Sequence, residues 1–150
     1  MQLRTPRLIL REFSETDFDS FRRLEAAPQT YFYESSAPGE EETRQYIRKA
    51  LAWAQEEPRT HFRLALSLPT GNEIVGRVTL SLQFEAIREW EAGWAVLPHL
   101  WGNGYATEAM RALLVFAFGE RNCHRVVAFC HAGNAASLRV MEKLGMQREA

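Results

Sequence analysis

The stretch from residue 90 to residue 130 constrains the fold of this chain more than any other. A β-rich segment, Trp90 to Leu97, stops at Pro98, and a second β-rich run follows at Arg125 to Cys130. Between them lies an apolar stripe at helical spacing, which consists of Ala106, Ala109, Met110, Leu113, Leu114 and Ala117. Two strands joined by a helix with short connections form a βαβ unit, whose strands run parallel. The pattern therefore predicts a mixed α/β fold.

The first 82 residues show the periods of short strands and amphipathic helices. The predicted elements are a strand from Leu8 to Phe13, a helix from Ser14 to near Pro28, a helix from Glu40 to Glu56, and two strands, His61 to Leu68 and Glu73 to Leu82. The turn formers at 69–72 favour an antiparallel hairpin, and the mixture of turn formers and aromatics at 28–39 predicts a loop.

Length and charge exclude several classes of protein. With 150 residues and about 100–200 residues per domain, we expect a single domain over residues 1–150. A hydrophobic fraction of 46% excludes a disordered chain. A formal net charge of −1 gives no electrostatic case for a nucleic-acid partner, so any anion site has to be local.

The two cysteines predict a reduced, cytoplasmic protein. Cys123 and Cys130 form neither a disulfide framework nor a CxxC pattern, and we expect Cys130 to be a small core residue on a buried strand. The apolar run at Leu8 to Leu10 is too short for a signal peptide or a membrane span, so no membrane partner is expected.

The segment Trp101 to Thr107, WGNGYAT, predicts an anion site, most plausibly for phosphate. Its glycines allow a close backbone approach, and the start of the following helix offers N–H groups and a positive dipole end. The P-loop motif fails because no Gly-Lys-Ser/Thr tripeptide follows Gly104. The dinucleotide motif fails because Thr107 stands where its third glycine belongs. A tight turn without a ligand remains the alternative.

Four ordered stretches resemble the GNAT acetyltransferases, in the branch that acetylates ribosomal-protein N-termini. Residues 99–109, HLWGNGYATEA, resemble motif A, and residues 134–145, NAASLRVMEKLG, resemble motif B. Residues 3–11, LRTPRLILR, resemble the first strand of that branch, and residues 90–94, WEAGW, its fourth strand. The resemblance implies a central mixed sheet flanked by helices, with its fourth and fifth strands splayed. It also implies acetyl transfer from acetyl-CoA to an amine.

Carried over by position, the resemblance implies the following contacts with acetyl-CoA, the expected cosubstrate. The amides that would hold the CoA pyrophosphate are those of Gly102, Asn103, Gly104, Tyr105, Ala106 and Thr107. The main chain that would pair with the pantetheine arm is that of Ala95, Val96 and Leu97, and the N–H of Ala95 is the expected donor to the thioester carbonyl. Asn134 is expected to cap the last helix and to contact the CoA arm.

Two residues are candidates for proton transfer. Glu91 occupies the family's fourth-strand carboxylate position and would act as a base; the alternative is an exposed residue paired with Arg88. Ser137 stands where the branch carries a serine that could protonate the departing sulfur, whereas Met141 replaces the tyrosine that many GNAT enzymes use. The alternative for Ser137 is a polar residue in the first turn of a helix. The Met141 replacement keeps open a second reading, a non-catalytic acyl-CoA-binding or sensory module.

Other charged and metal-binding side chain types near this region also have expected roles. Lys143 is either a surface charge or a phosphate contact, and Glu108 is expected to pack or cap inside the domain. The histidines lack metal-ligand spacing, so no metal is expected.

The acceptor is expected to be a cationic amine such as a protein N-terminus, a polyamine or an aminoglycoside-like amine. By the resemblance, Tyr31, Phe32, Tyr33, Glu34 and residues 40–42 would face the acetyl group. A GNAT domain normally continues beyond the glycine of motif B, here Gly145, into a terminal β-hairpin that this chain is expected to lack. An uncovered strand edge favours pairing with a second copy, so a homodimer is among the expected partners.

Overall fold

The computed structural model describes residues 1–30 and 36–149, and within them six strands form one sheet in chain order. The strands are β1 (Gln2–Arg4), β2 (Ile9–Glu12), β3 (His61–Ser67), β4 (Ile74–Phe84), β5 (Glu89–Val96) and β6 (Arg125–Val127). Neighbours pair antiparallel except β5 and β6, which are parallel. The predicted mixed α/β fold is confirmed.

Four α-helices accompany the sheet in the described ranges: α1 (Phe18–Ala26), α2 (Glu40–Trp53), α3 (Tyr105–Glu120) and α4 (Ala135–Lys143). Before α1, Ser14 and Asp17 form a capping box around a short 3-10 turn, in which the Ser14 N–H donates to the Asp17 carboxylate over 2.7 Å. No helix in the described part of the chain has the length and apolar character needed to cross a membrane.

Strand alternation divides the core into two clusters, one on each face of the sheet. On one face, Leu64, Val78 and Trp90 pack with α3 through Met110 and Leu113. On the other face, the cluster that contains Ala65 and Ile74 packs with α1 and α2. Because neighbouring side chains of a strand point to opposite faces, the even-numbered residues of β5 pack toward α3 and the odd-numbered ones face the other way.

The two parallel strands part after three paired positions. Pairing runs from Glu89 opposite Arg125 to Glu91 opposite Val127, while β5 continues to Val96. The splay implied by the family resemblance is therefore confirmed. The same parting shortens β6: its predicted end at Cys130 is wrong because β5 offers no further partner, and Cys130 is half-buried beyond the strand.

The N-terminal hairpin was not predicted from the sequence. Strand β1 pairs with β2 through the register Leu3 opposite Leu10, so residues 3–11 form two antiparallel strands instead of one. Helix α2 ends at Trp53, before the predicted end at Glu56.

Candidate active site

A cleft of about 510 Å³ opens where β5 and β6 part, between β5, the start of α3 and α4. Pockets of this size hold small-molecule ligands. The predicted site residues in its wall are Ala95, Val96, Gly102, Gly104, Tyr105, Ala106, Thr107, Asn134 and Ser137. Leu97, Asn103 and Glu91 lie outside the wall.

The ladder between β4 and β5 decides which main-chain groups face the cleft. The Leu97 N–H donates to the Val75 carbonyl over 2.8 Å, so this amide is already used on the β4 side. A Cβ built at Gly76 would lie 2.5 Å from the Ala95 carbonyl oxygen, so that oxygen also points at β4. Since hydrogen-bonded pairs alternate along an antiparallel ladder, the polar groups of Trp94 and Val96 point the other way, into the cleft.

This alternating direction of the main-chain groups corrects the expectations that the N–H groups of Ala95 and Leu97 face the cleft. Neither Ala95 nor Leu97 presents its N–H to the cleft, so the main chain that can pair with an extended ligand belongs to Trp94 and Val96. The Val96 carbonyl already accepts from the Trp101 indole N–H over 2.7 Å. The Trp94 groups and the Val96 N–H are thus the ones directed at a ligand.

The glycine loop holds the start of α3 open to the cleft. Gly102 and Gly104 adopt φ values of 81° and 80°, a left-handed conformation that favours glycine. The first helical hydrogen bond runs from the Glu108 N–H to the Gly104 carbonyl over 3.0 Å. The N–H groups that precede it, including those of Tyr105 and Thr107, have no partner within the helix and can bind an anion.

Asn103 acts inside this loop. Its side-chain amide donates to the Leu100 carbonyl over 2.9 Å and to the Trp101 carbonyl over 3.1 Å. The structure therefore gives the Asn103 side chain the task of shaping the turn.

Glu108 ties the anion-binding turn to the N-terminal hairpin, a contact that no local pattern reveals. Its carboxylate accepts from the Thr5 hydroxyl over 2.6 Å, from the Arg7 N–H over 2.9 Å and from Arg7 Nε over 2.7 Å. Burial acts to raise the pKa of Glu108, but the hydrogen bonds from Thr5 and Arg7 outweigh it and lower the pKa overall. The expectation that Glu108 packs or caps within the domain agrees with this position.

Helix α4 forms the opposite wall of the cleft. Asn134 caps it, as its side-chain oxygen accepts from the Ser137 N–H over 3.1 Å, so the predicted capping role is observed. Ser137 lies in the first turn of the helix, and Arg139 and Lys143 add positive charge to the same wall. These side chains and the α3 N-terminus make the cleft suitable for a phosphate-bearing ligand.

Glu91 stands where the two parallel strands separate. It is the last residue of β5 that pairs with β6, and it lies opposite Ser81 on β4. Its side chain is half-buried. Glu91 and Arg88 are both among the described residues, and they do not form the ion pair that was the alternative expectation.

The expected acceptor residues are only partly visible. Tyr31, Phe32, Tyr33 and Glu34 lie outside the described residues. The glutamates at 40–42 are exposed in the first turn of α2, where Glu42 completes a capping box and Glu40 and Glu41 pair with Arg44. None of the three lines the cleft, so the structure assigns them to stabilising the helix.

The sequence of this chain is similar to those of known acetyltransferases. A family model described as "Acetyltransferase (GNAT) domain" matches residues 7–147. The chain is 29% identical over 150 residues to the uncharacterized N-acetyltransferase YnaD of Bacillus subtilis, covering 99% of this chain and 84% of YnaD.

Solved structures give the same result. The structure of a GNAT-family acetyltransferase from Bacillus anthracis matches with a TM-score of 0.85 and 30% identity, over 100% of this chain and 86% of that one. Mycobacterium smegmatis RimJ, solved in complex with CoA-disulfide, shares the fold with a TM-score of 0.79 at 20% identity, over 95% of this chain and 71% of RimJ.

Proposed function

The chain belongs to the GNAT acetyltransferase family, and from that premise we propose that it transfers the acetyl group of acetyl-CoA directly to a primary amine in this cleft. One observation carries the proposal: the open edge of β5 and the first turn of α3 face a single cleft. An extended thioester with a pyrophosphate at its far end needs both features.

The chain offers two kinds of group to hold acetyl-CoA, which supplies the activated acetyl thioester. The amides of the glycine loop and the first turn of α3, from Gly102 to Thr107, bind the pyrophosphate, and Arg139 and Lys143 add charge beside them. The main chain of Trp94 and Val96 pairs with the amides of the pantetheine arm in the manner of an added strand. RimJ, which shares the fold, was solved in complex with CoA-disulfide, and this supports a CoA-type ligand.

The Trp94 N–H takes the role first expected of Ala95. It points into the cleft from a strand that is held rigidly by β4, so it needs no rearrangement to polarise a thioester carbonyl. The Val96 N–H, one pleat further on, holds the pantetheine next to it. Ala95 lines the cleft without presenting its N–H to it, and Leu97 lies outside the wall.

Glu91 and Ser137 handle the two protons. Glu91 accepts the proton that the ammonium group of the acceptor has to lose before its nitrogen can form the new N–C bond. Because Glu91 lies outside the cleft wall, this transfer runs through a water molecule. Ser137, in the wall beside the thioester sulfur, donates a proton to the thiolate that leaves when the C–S bond breaks, and Asn134 orients it.

Titration calorimetry with acetyl-CoA and a thiol-release assay with a panel of primary amines test the proposal. We expect acetyl-CoA to bind in the micromolar range and at least one amine to stimulate release of CoA thiol. Absence of binding at high micromolar concentration would contradict the donor site. Binding without thiol release for any amine would favour an acyl-CoA-binding module over an enzyme.

A further inference from the structure

Two arginines lie side by side on the face of the sheet that α1 and α2 cover, and neither forms an ion pair with a carboxylate of residues 1–30 or 36–149. Arg63 on β3 and Arg77 on β4 both approach the ring of Tyr46, with guanidinium carbons 3.8 Å and 5.6 Å from its centroid. Within residues 1–30 and 36–149, no carboxylate comes to ion-pair distance of either guanidinium. Arg63 uses Nη1 to donate to the Tyr46 carbonyl over 3.1 Å.

This pair differs from the other half-buried arginines of the sheet. Arg11 binds Asp17 over 2.9 Å, and Arg59 binds Glu12 over 2.7 Å, each through both terminal nitrogens. In both cases a carboxylate forms an ion pair with the half-buried guanidinium and compensates its charge. Two unmatched, half-buried cations on adjacent strands repel each other, a cost that an anion between them removes.

Ring contacts position Arg63 but do not neutralise it. Its guanidinium lies 3.8 Å from the Tyr46 centroid and 4.4 Å from that of Trp53, between the two aromatic rings of α2. Burial lowers the pKa of Arg63 and the charge of Arg77 acts in the same direction, whereas Tyr46 and the carboxylate of Glu25 act to raise that pKa. Arg63 is therefore held in place by the two rings, and the described residues form no direct ion pair with it.

The pair is close to the proposed reaction centre. Arg77 is the register partner of Ala95 on β5, and Thr79 is the partner of Gly93. Gly93 and Ala95 share the odd-numbered face of β5 with Glu91. Because both residues are small, they leave space for a ligand on that face of the strand. A Cβ at Gly93 would lie 2.8 Å from Thr79 Oγ1, so a larger residue there would force the Thr79 side chain to move.

From this juxtaposition we infer that the acceptor is a small primary amine that also carries an anionic group, a carboxylate or a phosphate, bound by Arg77 and Arg63. The planar guanidinium matches both anions with paired hydrogen bonds. With its anion at Arg77, the acceptor lies along Gly93 and directs its amine toward Glu91 and the acetyl group. This inference rests on the proposed function, and it replaces the cationic acceptor that the sequence favoured.

Matched acceptor pairs test the inference, because each pair differs only in the anion. The pairs are β-alanine against β-alaninamide and O-phosphoethanolamine against ethanolamine, with spermidine as a purely cationic amine. We expect the anionic member of at least one pair to have a kcat/KM at least about tenfold higher, which corresponds to about 1.4 kcal/mol. The pair with the larger ratio identifies carboxylate or phosphate as the anion.

Substitutions assign that preference to Arg77. In Arg77→Gln we expect the ratio to fall to near one, mainly through KM, and Arg77→Lys should retain part of it. Arg48→Gln, which removes a charge from the exposed surface of α2, is the matched control and should leave the ratio unchanged. A wild-type ratio of one or less in both pairs, or an unchanged ratio in Arg77→Gln, would overturn the inference.

A binding measurement separates this inference from the proposed function. Trp53 lies against Arg63, so its fluorescence can report acceptor binding to the CoA-loaded protein without turnover. If no amine is acetylated, the proposed function fails, yet stronger binding of the anionic amines that Arg77→Gln abolishes would still support the inference. Equal binding of β-alanine and β-alaninamide, and of the phosphate pair, would contradict it.

Discussion

The two sides of β5 are built from different parts of the polypeptide. On the cleft side, the groups that face a ligand are main-chain atoms of Trp94, Val96 and the first turn of α3. On the other side, the groups that we propose to bind and deprotonate the acceptor are the side chains of Arg63, Arg77 and Glu91. We call the cleft side, proposed to bind acetyl-CoA, the donor side and the opposite side the acceptor side. Every residue except proline supplies an N–H, so many sequences can build the donor side, whereas each side chain on the acceptor side restricts which amine is accepted.

The largest expected effect concerns the acceptor side. Glu91→Gln removes the proposed base and keeps a similar shape, so we expect kcat to fall by about a hundredfold, while the affinity for acetyl-CoA stays unchanged. Steady-state kinetics and calorimetry measure the two quantities separately. The control is Glu85→Gln, which changes an exposed glutamate of the turn before β5 and should leave kcat unchanged. If kcat of Glu91→Gln stays within about twofold of wild type, Glu91 is not the base.

The next effect tests the donor side. Gly104→Val places a branched side chain at a φ of 80°, where a residue other than glycine costs about 1–3 kcal/mol. We expect acetyl-CoA binding to weaken by about tenfold to a hundredfold, with little change in the preference among acceptors. Gly71→Val, where nothing lies within 4 Å of the added Cβ, should bind normally. Unchanged affinity in Gly104→Val would show that the loop conformation is not needed.

A third prediction tests the tie between the donor side and the N-terminal hairpin. Glu108→Gln should lower the free energy of unfolding by about 1–2 kcal/mol at pH 7. Burial opposes ionisation of Glu108, but the Thr5 and Arg7 hydrogen bonds place its folded pKa below the ordinary value. The unfolded chain therefore takes up the proton first, and the contribution is full above about pH 4.3 and lost as the pH falls through the folded pKa.

Urea unfolding at neutral and acidic pH measures that contribution. The gap between wild type and Glu108→Gln should close as the pH falls. Glu120→Gln, at the exposed end of α3, should show no gap at either pH. A gap that widens in acid would contradict the role given to the Glu108 carboxylate.

The smallest effect is expected at Trp101. Trp101→Phe removes the donor to the Val96 carbonyl, and one hydrogen bond contributes about 0.5–1.5 kcal/mol. We expect acetyl-CoA affinity to fall by about twofold to tenfold and the ratio between anionic and neutral acceptors to stay constant. A changed ratio would show that the two sides of β5 are not independent.

Sequence reasoning reached the donor side because its signals are local. The strand ending at Pro98, the glycines at 102 and 104 and the cap at Asn134 lie within short windows, and their structural roles follow from backbone conformation. The Ala95 N–H, which was expected to contact the thioester carbonyl, points toward β4, and the reason is non-local. The direction of an amide in β5 depends on its register with β4, and a shift of one residue reverses it.

The acceptor side lay beyond the reach of the sequence for a related reason. Arg63 and Arg77 are separated by a hairpin, and nothing in their local patterns distinguishes them from Arg11 and Arg59, which have acidic partners. Only the packed sheet shows which arginines are matched. The acidic run at 40–42 favoured a cationic acceptor, but its charges serve the start of α2.

The Glu108 tie also sets the order in which the protein can be completed during synthesis. Thr5 and Glu108 are 103 positions apart, so Thr5 is synthesised long before the residue that it binds. Contacts of such sequence separation form late, because loop closure costs entropy before the contact is gained. The N-terminal hairpin and the helix that would bind the pyrophosphate thus reach their final arrangement together, after both have been synthesised.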